Sequence, residues 1–528
     1  MLTHIITRGG TALAGIVREL YQAGQTDYYL EPILLTNTDG QPIGRIRDGD
    51  AVIFCCRRGE REIQLTEAFT EPGFDRFPRT DFQNLPFVIL TLYHEKFKDL
   101  PVAFAPTKVT DTLGETVSRA GLRQLHVAES EKFAHITFFL NGGENQPFEG
   151  ENDIRIPSPK GIPFDQVPEL SLAQVSEEVK RGIKMHYDLI VTNFANGDVI
   201  GHTANCKAKV QCAGIVDKHL GQVVNAALAA DYVVMVTADH GNLEVMTNPD
   251  GMPHVSHTSN LVPFILIDPA SSSTPSLHGG KLADIASTVL SALRLEQLPA
   301  MEGTSLVPGY DWGGKRRVLL VILDGWGLGP DEHSNPIFVA ETPVWDGLLQ
   351  RYPNSQLRAS GEAVGLQAGK AGNSEAGHMN IGAGQVVLQD DVRLDMAMQD
   401  GSFYSNETFV RVIEDVKGRN TSLHLIALLT EKSSHGSIDY PLALLRMAKE
   451  HGLEQVYVHV IFDGRSTEPG SAPDLLEKFE AQIEEIGIGQ IVTGIGRGIA
   501  LDRDGNYAKT QRAFDALVYG TGKNAVLE

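Results

Sequence analysis

Hydrophobic, β-branched runs that stop at a metal-seeking or nucleophilic side chain are the feature that most limits how this chain can fold. Val318 to Leu323 runs into Asp324-Gly325, Leu189 to Ala195 into Asp198-x-x-x-His202, and Tyr232 to Thr237 into Asp239-His240. His257 stands just ahead of Val262 to Ile267, and Gly372-Asn373-Ser374 adds a serine in a tight, small-residue turn. Such runs read as strands of an α/β fold. In open α/β sheets ligands sit outside the carboxyl ends of the strands, where most of these side chains should fall.

The residue types define a chemistry. Asp and Ser oxygens with His nitrogens form a mixed hard and borderline donor set, suited to Mn, Zn, Co or Mg rather than to a thiolate-selected metal. Two ions held close together can clamp the attacking and leaving oxygens of an in-line phosphoryl displacement and can activate a serine hydroxyl. Ser374 is the natural nucleophile, with Gly372 and Gly377 allowing close backbone approach and a following helix start offering N–H groups to a phosphate. Taken singly, each piece has a plain reading. Asp-Gly after a strand is usually a turn, and Asp198 and His202 at i, i+4 could be a solvated helix face. Their coincidence points to a two-metal phosphoryl-transfer site.

A chain of 528 residues is too long for one ordinary core and suggests two or more domains. A net charge of -22 argues against a nucleic-acid partner, whose phosphates need clustered Lys and Arg. An anionic substrate then needs a locally positive pocket. Cys55, Cys56, Cys206 and Cys212 are too irregular for a disulfide framework. With no secretory leader and no membrane-length apolar run, the expected location is the cytoplasm and no membrane partner is expected. Ala51 to Cys56, Phe87 to Leu92, Leu423 to Leu428 and Val456 to Phe462 are strand-like and alternate with helix-like stretches. Leu475, Leu476, Phe479, Ile483 and Ile486 make a core-facing helical stripe. Gly494-Ile-Gly496-Arg-Gly498 lacks the spacing of a dinucleotide loop, and Ser271 to Ser273 reads as a surface loop.

V-I-L-D-G-W-G around Asp324, G-N-S-E-A-G-H around Ser374, A-N-G-D-V-I-G-H around Asp198, T-A-D-H-G-N around Asp239 and S-H-T-S-N around His257 resemble cofactor-independent phosphoglycerate mutases of the alkaline-phosphatase superfamily. The likeness continues through G-L-R-Q-L-H-V-A-E-S-E-K, ending at Lys132, and L-D-R-D near Arg503. It implies one metal on Asp198, His202 and His257, and another on Asp324, Ser374, Asp239 and His240, with Lys132 beside a phosphoserine. It implies substrate contacts from Arg58, Arg61, His435, Arg465, Arg497 and Arg503; a guanidinium can grip phosphate or carboxylate in bidentate fashion. Mn2+ is the first expectation for both metals, with Co2+, Zn2+ or Mg2+ as alternatives, and no 2,3-bisphosphoglycerate is needed.

The motif order resembles a circular permutant. In the family the Asp-Gly motif opens the chain; here it stands at Asp324, and Leu306 to Lys315 reads as the linker joining the family's usual ends. The implied organisation is a metal-binding domain at residues 107–388 and a smaller substrate-binding α/β domain split between 1–106 and 389–528. Departures gather on the substrate side: Ser466 stands where the family has an aspartate, Ser437 where it has a second histidine, and Ile499 and Tyr507-Ala-Lys509 replace aromatic-containing strings. The expected activity is interconversion of 3-phosphoglycerate and 2-phosphoglycerate by a monomer. Domain closure is expected to unite the arginines with the metals. The alternatives are a metal-dependent phosphomonoesterase, or a catalytically silent relative that binds phosphorylated metabolites.

Overall fold

The computed structural model describes residues 8–57, 59–106, 108–270, 275–431, 433 and 435–527. Arg58 and the Ser271 to Ser273 stretch lie outside the described residues. The backbone divides into two compact units, Met1–Pro106 with Arg393–Glu528, and Thr107–Val392. Both are α/β, each built on an 8-stranded sheet.

In the Thr107–Val392 unit the strand order is Gly280–Lys281, Asn354–Arg358, Val262–Ile267, Tyr232–Thr237, Arg317–Leu323, Leu189–Phe194, Gln124–Glu129, Glu151–Ile156. The strand Arg317–Leu323 is central and parallel to both neighbours, with Leu323 level with Phe194 and Ile322 level with Thr237. Every residue of Leu189–Phe194, Tyr232–Thr237 and Val262–Ile267 is buried, as expected of strands covered on both faces. One cover is the helix Leu172–Lys184, which buries Leu172, Val175, Val179 and Ile183 at helical spacing and packs on the long helix Cys206–Ala229.

Val262–Ile267 runs antiparallel to Tyr232–Thr237, pairing Phe264 with Thr237. This reversal brings the start of the strand, with His257 ahead of it, to the edge where its parallel neighbours end. The Leu306 to Lys315 stretch, expected to be a linker, is more than that. Leu306, Val307 and Trp312 are buried in the core, and Trp312 Nε1 donates to Ser291 Oγ at 3.2 Å. Its Pro and Gly content sets the turns, while the apolar residues between them still have core to fill.

In the other unit the order is Lys523–Val526, Ile33–Thr36, Gln490–Gly496, Val456–Phe462, Leu423–Leu429, Ala51–Phe54, Phe87–Thr91, Val102–Phe104. Among the described strands of this sheet only the Ile33–Thr36 to Gln490–Gly496 pairing is antiparallel. Alternate residues feed two cores: Ile53, Leu425 and Ala427 on one face, Val52, Phe54, Ile426 and Leu428 on the other. The helix Ala472–Ile486 buries Leu476, Phe479, Ile483 and Ile486, while Leu475 is half-buried.

Gly325 shows how tightly the sheet edge is built. It has φ of 71°, and a Cβ there would lie 2.7 Å from Asp198 N. Its carbonyl accepts from Asn242 N at 3.1 Å and Leu243 N at 2.8 Å. Gly325→Ala should therefore cost roughly 2–4 kcal/mol through a left-handed backbone and a backbone clash. Chemical denaturation of the purified variant would check this, and an unchanged midpoint would show that the turn relaxes freely.

Candidate metal centre

Asp324 follows the central strand, Asp239 and His240 follow Tyr232–Thr237, and Asp198 lies in the short helix Asn196–Gly201 after Leu189–Phe194. Ser374 opens the helix Ser374–Ala383, whose cap residue Asn373 accepts from Ala376 N at 2.8 Å. Gly377 admits this helix to the edge, since a Cβ there would lie 2.6 Å from Asp239 O. Asp239, His240 and Asp324 are fully buried, Asp198 and Ser374 nearly so; His202 is exposed.

Three donors converge at one point. Asp198 Oδ1 lies 3.2 Å from His202 Nε2 and 3.1 Å from His257 Nε2, and the two imidazole nitrogens are 3.0 Å apart. Beside them, His240 Nε2 lies 2.9 Å from Ser374 Oγ, 3.4 Å from Asp239 Oδ2 and 3.6 Å from Asp324 Oδ1. Ser374 Oγ lies 3.2 Å from Asp324 Oδ1. Donors roughly 3.3 Å apart form the edges of a tetrahedron with bonds of about 2.0 Å, the spacing of a four-coordinate divalent ion.

The tautomers point the same way. The Nδ1 atoms of His202, His257 and His240 face the carbonyls of Val255 at 2.9 Å, Gly372 at 2.8 Å and Gly241 at 3.2 Å. A carbonyl only accepts, so each Nδ1 carries a proton and each Nε2 is the ring atom turned toward the other donors, able to bind a metal once it holds no proton. The Nε2 atoms of His202 and His257, 3.0 Å apart and both beside Asp198 Oδ1, sit where one ion could bind both. Asp239 Oδ2 is likewise buried without a hydrogen bond. The residues present fit two divalent ions.

Lys132 ties the groups together. Its Nζ lies 2.6 Å from Asp198 Oδ2, 2.7 Å from Asp324 Oδ1 and 2.7 Å from Ser374 Oγ. Burial works against the ammonium charge, but Asp324, Asp198 and Asp239 outweigh it and hold Lys132 protonated well above the usual lysine range. Asp239, despite its burial, is held far below the usual carboxylate range by His240, His378 and Lys132. Burial, then the charge of Asp239, pushes Asp324 up.

Sequence reasoning missed the supporting layer. Asn193 donates through Nδ2 to Asp324 Oδ2 at 2.6 Å, with His378 Nε2 2.9 Å away. Asn242 Nδ2 donates to Asp198 Oδ1 at 2.9 Å. Glu244 accepts from Asn242 N at 2.8 Å and Gly327 N at 3.1 Å, joining two of the metal-bearing loops. An asparagine inside a fully buried strand, Leu189–Phe194, was the available signal for Asn193.

The remaining sequence candidates lie in the other unit. Arg61 and Arg497 are buried: Arg61 Nη1 donates to Leu501 O at 3.1 Å, and Arg497 pairs with Asp463. His435 Nδ1 lies 3.2 Å from Glu62 Oε1. These groups follow the carboxyl ends of the parallel strands Ala51–Phe54, Leu423–Leu429, Val456–Phe462 and Gln490–Gly496. Arg465 and Arg503 stand on exposed turns at that edge. Ser437 Oγ donates to Glu431 O at 2.7 Å, and Ser466 N donates to Asp463 Oδ2 at 3.2 Å. Glu62, fully buried and raised by that burial, is a further ionisable group that the sequence reading did not single out.

An α/β unit carrying this donor set at its strand ends defines a metalloenzyme, and comparison with known proteins agrees. The metalloenzyme superfamily model matches residues 26–297, just over half the chain, and the chain belongs to that superfamily. A model described as the BPG-independent PGAM N-terminus matches residues 394–528. The chain is similar to 2,3-bisphosphoglycerate-independent phosphoglycerate mutases of Moorella thermoacetica, 44% identical over 55% of this chain and 56% of the relative, and of Salinibacter ruber, 43% identical over 54% and 55%. A second such mutase of Methanosarcina acetivorans is 42% identical over 55% and 56%. The matched span is about half the length of these curated relatives. A solved structure of Leishmania mexicana phosphoglycerate mutase at low cobalt concentration aligns with TM-score 0.41 and 27% identity, over 51% of this chain and 53% of that one.

Asp198→Ala should lower the divalent-metal content of the purified protein by one ion per chain, read by elemental analysis after reloading. An unchanged content would remove Asp198 from the ligand set.

Proposed function

We propose that this chain interconverts 3-phosphoglycerate and 2-phosphoglycerate through a phosphoserine at Ser374. The observation that carries the reading is the placement of Ser374 Oγ within 2.7 Å of Lys132 Nζ and 2.9 Å of His240 Nε2, inside a cluster of converging metal donors. Asp198, His202 and His257 would hold one ion, and Asp324, Asp239, His240 and Ser374 the other, Mn2+ first, with Co2+, Zn2+ or Mg2+ also suited to these nitrogen and oxygen donors. When bound, the ions supply Lewis-acid stabilisation of phosphoryl charge and lower the pKa of the serine hydroxyl.

Ser374 Oγ gives up its proton and attacks phosphorus as the P–O bond to glycerate breaks and the leaving oxygen is protonated; in the return step the other glycerate hydroxyl gives up its proton, attacks the phosphoserine, and Ser374 leaves protonated. Lys132 faces the same space as Ser374 Oγ and offsets charge on the phosphoryl oxygens, so the nucleophile and a fixed cation are positioned before substrate arrives. Arg61, Arg497, His435, Arg465 and Arg503, with Arg58, are the groups proposed to hold the glycerate carboxylate and phosphate. The enzyme acts without 2,3-bisphosphoglycerate, as a cytoplasmic monomer with no nucleic-acid or membrane partner. Among the described residues no helix is long and apolar enough to cross a membrane. The family match at residues 394–528, to an N-terminal model yet lying late in this chain, supports a circularly permuted order in which residues 107–388 form the metal domain and 1–106 with 389–528 the substrate domain.

A second reading is favoured by Ser466 and Ser437. Loss of a proton-handling carboxylate at position 466 would slow retransfer, since a general acid or base is worth about 10²–10⁴-fold. If glycerate then escaped, water would release phosphate from Ser374 and the enzyme would act as a phosphomonoesterase. A phosphorus NMR time course of Mn-loaded protein with 3-phosphoglycerate separates the two. Growth of 2-phosphoglycerate is expected, whereas inorganic phosphate alone would overturn the mutase reading, and neither signal would leave a silent relative.

Ser374→Ala should abolish turnover with either product; residual mutase activity would refute the nucleophile. Ser466→Asp should raise the ratio of isomer to free phosphate in the same assay, and an unchanged ratio would assign proton handling to another group.

A further inference from the structure

A second cluster of donors lies in the same unit, away from the groups assigned above. The strands Gln124–Glu129 and Glu151–Ile156 pair in parallel with His126 opposite Asp153 and Gln124 opposite Glu151. Residues two apart on a strand share a face, so this register puts His126, Glu151 and Asp153 on one side of the sheet. His126 Nδ1 lies 3.3 Å from Glu151 Oε1 and 3.6 Å from Asp153 Oδ1. The three donor atoms all lie within 4.8 Å of one another.

His126 and Glu151 are buried and Asp153 half-buried, and several of their polar atoms lack hydrogen bonds. His126 is 0% exposed, yet neither ring nitrogen makes a hydrogen bond. Asp153 Oδ1 and Asn141 Oδ1 are also buried without a partner. Glu151, by contrast, is aimed: Asn141 Nδ2 donates to its Oε1 at 2.7 Å and Phe148 N to its Oε2 at 3.1 Å. Among the described residues no Lys or Arg pairs with either carboxylate, so two acids face one imidazole. Burial, with the charge of Glu151 adding to it, pushes Asp153 up to about 6. Leaving buried acceptors and a buried imidazole unpaired is costly unless something else satisfies them.

We propose that His126, Glu151 and Asp153 form a further divalent-cation site, separate from the Ser374 centre. One imidazole nitrogen and two carboxylates are a borderline donor set, suited to Zn2+ or Mn2+. An ion there would clamp the edge strand Glu151–Ile156 onto Gln124–Glu129, the strand whose end leads to Lys132. The site needs no substrate, so it stands or falls apart from the mutase reading.

The test is Zn2+ stoichiometry of the full chain, stripped with chelator, reloaded, desalted and read by elemental analysis. Asp153→Asn and His126→Gln should each bind one ion fewer than the unaltered chain and gain less in melting temperature from added Zn2+. Equal stoichiometry in both variants would overturn the proposal. Should these substitutions prevent folding, the chain carrying Asp198→Ala and Asp239→Asn decides: it should still bind a Zn2+ ion with mixed nitrogen and oxygen ligands by X-ray absorption, and absence of that ion would overturn the site.

Discussion

The parallel register of Arg317–Leu323 between Leu189–Phe194 and Tyr232–Thr237 is the constraint on which the rest of the metal-bearing unit depends. Because Leu323 is level with Phe194 and Ile322 with Thr237, the three strands end at one height. The first charged residues after them, Asp324, Asp198 and Asp239, therefore emerge side by side. A slip of one residue would turn every buried side chain of a strand to the opposite face. With apolar cores on both faces of the sheet, that slip is strongly disfavoured, and the register holds Asp324, Asp198 and Asp239 together.

Holding them together carries an electrostatic cost. Asp198, Asp239 and Asp324 are three buried carboxylates, and buried charge is tolerated only when paired and hydrogen-bonded. Lys132 answers part of this by contacting Asp198 and Asp324 directly. Asn193, Asn242 and the backbone N–H groups near them answer another part. What is left is a set of inward-turned Nε2 atoms on His202, His257 and His240, with Asp239 Oδ2. Nitrogen and carboxylate donors gathered this closely suit the cluster to cations.

Much of this was legible in the residues. Fold class followed from the apolar runs, and the same runs marked where Asp324, Asp198, Asp239 and His240 would emerge, because a strand that ends in a charged group must end at solvent or at a site. His257 was harder. It precedes its strand, and only the antiparallel turn of Val262–Ile267 explains how it reaches the common edge. Asn193, His378 and Glu244 were overlooked because a single polar residue looks like noise until its burial and its partner are known. Leu306 to Lys315 was read from its Pro and Gly, which report turns but not burial.

The sequence by itself determined the element types, the donor chemistry and the nucleophile candidate, since hydrophobic periodicity and side-chain chemistry are local properties. Tertiary structure decided the distances, the tautomers and the partners. His126 faces Asp153 and Glu151 only because two strands pair in one register, and His202 and His257 present Nε2 only because the carbonyls of Val255 and Gly372, far away in the chain, occupy Nδ1. Those are long-range contacts, fixed by packing and hydrogen-bond satisfaction across the sheet rather than by neighbours in sequence.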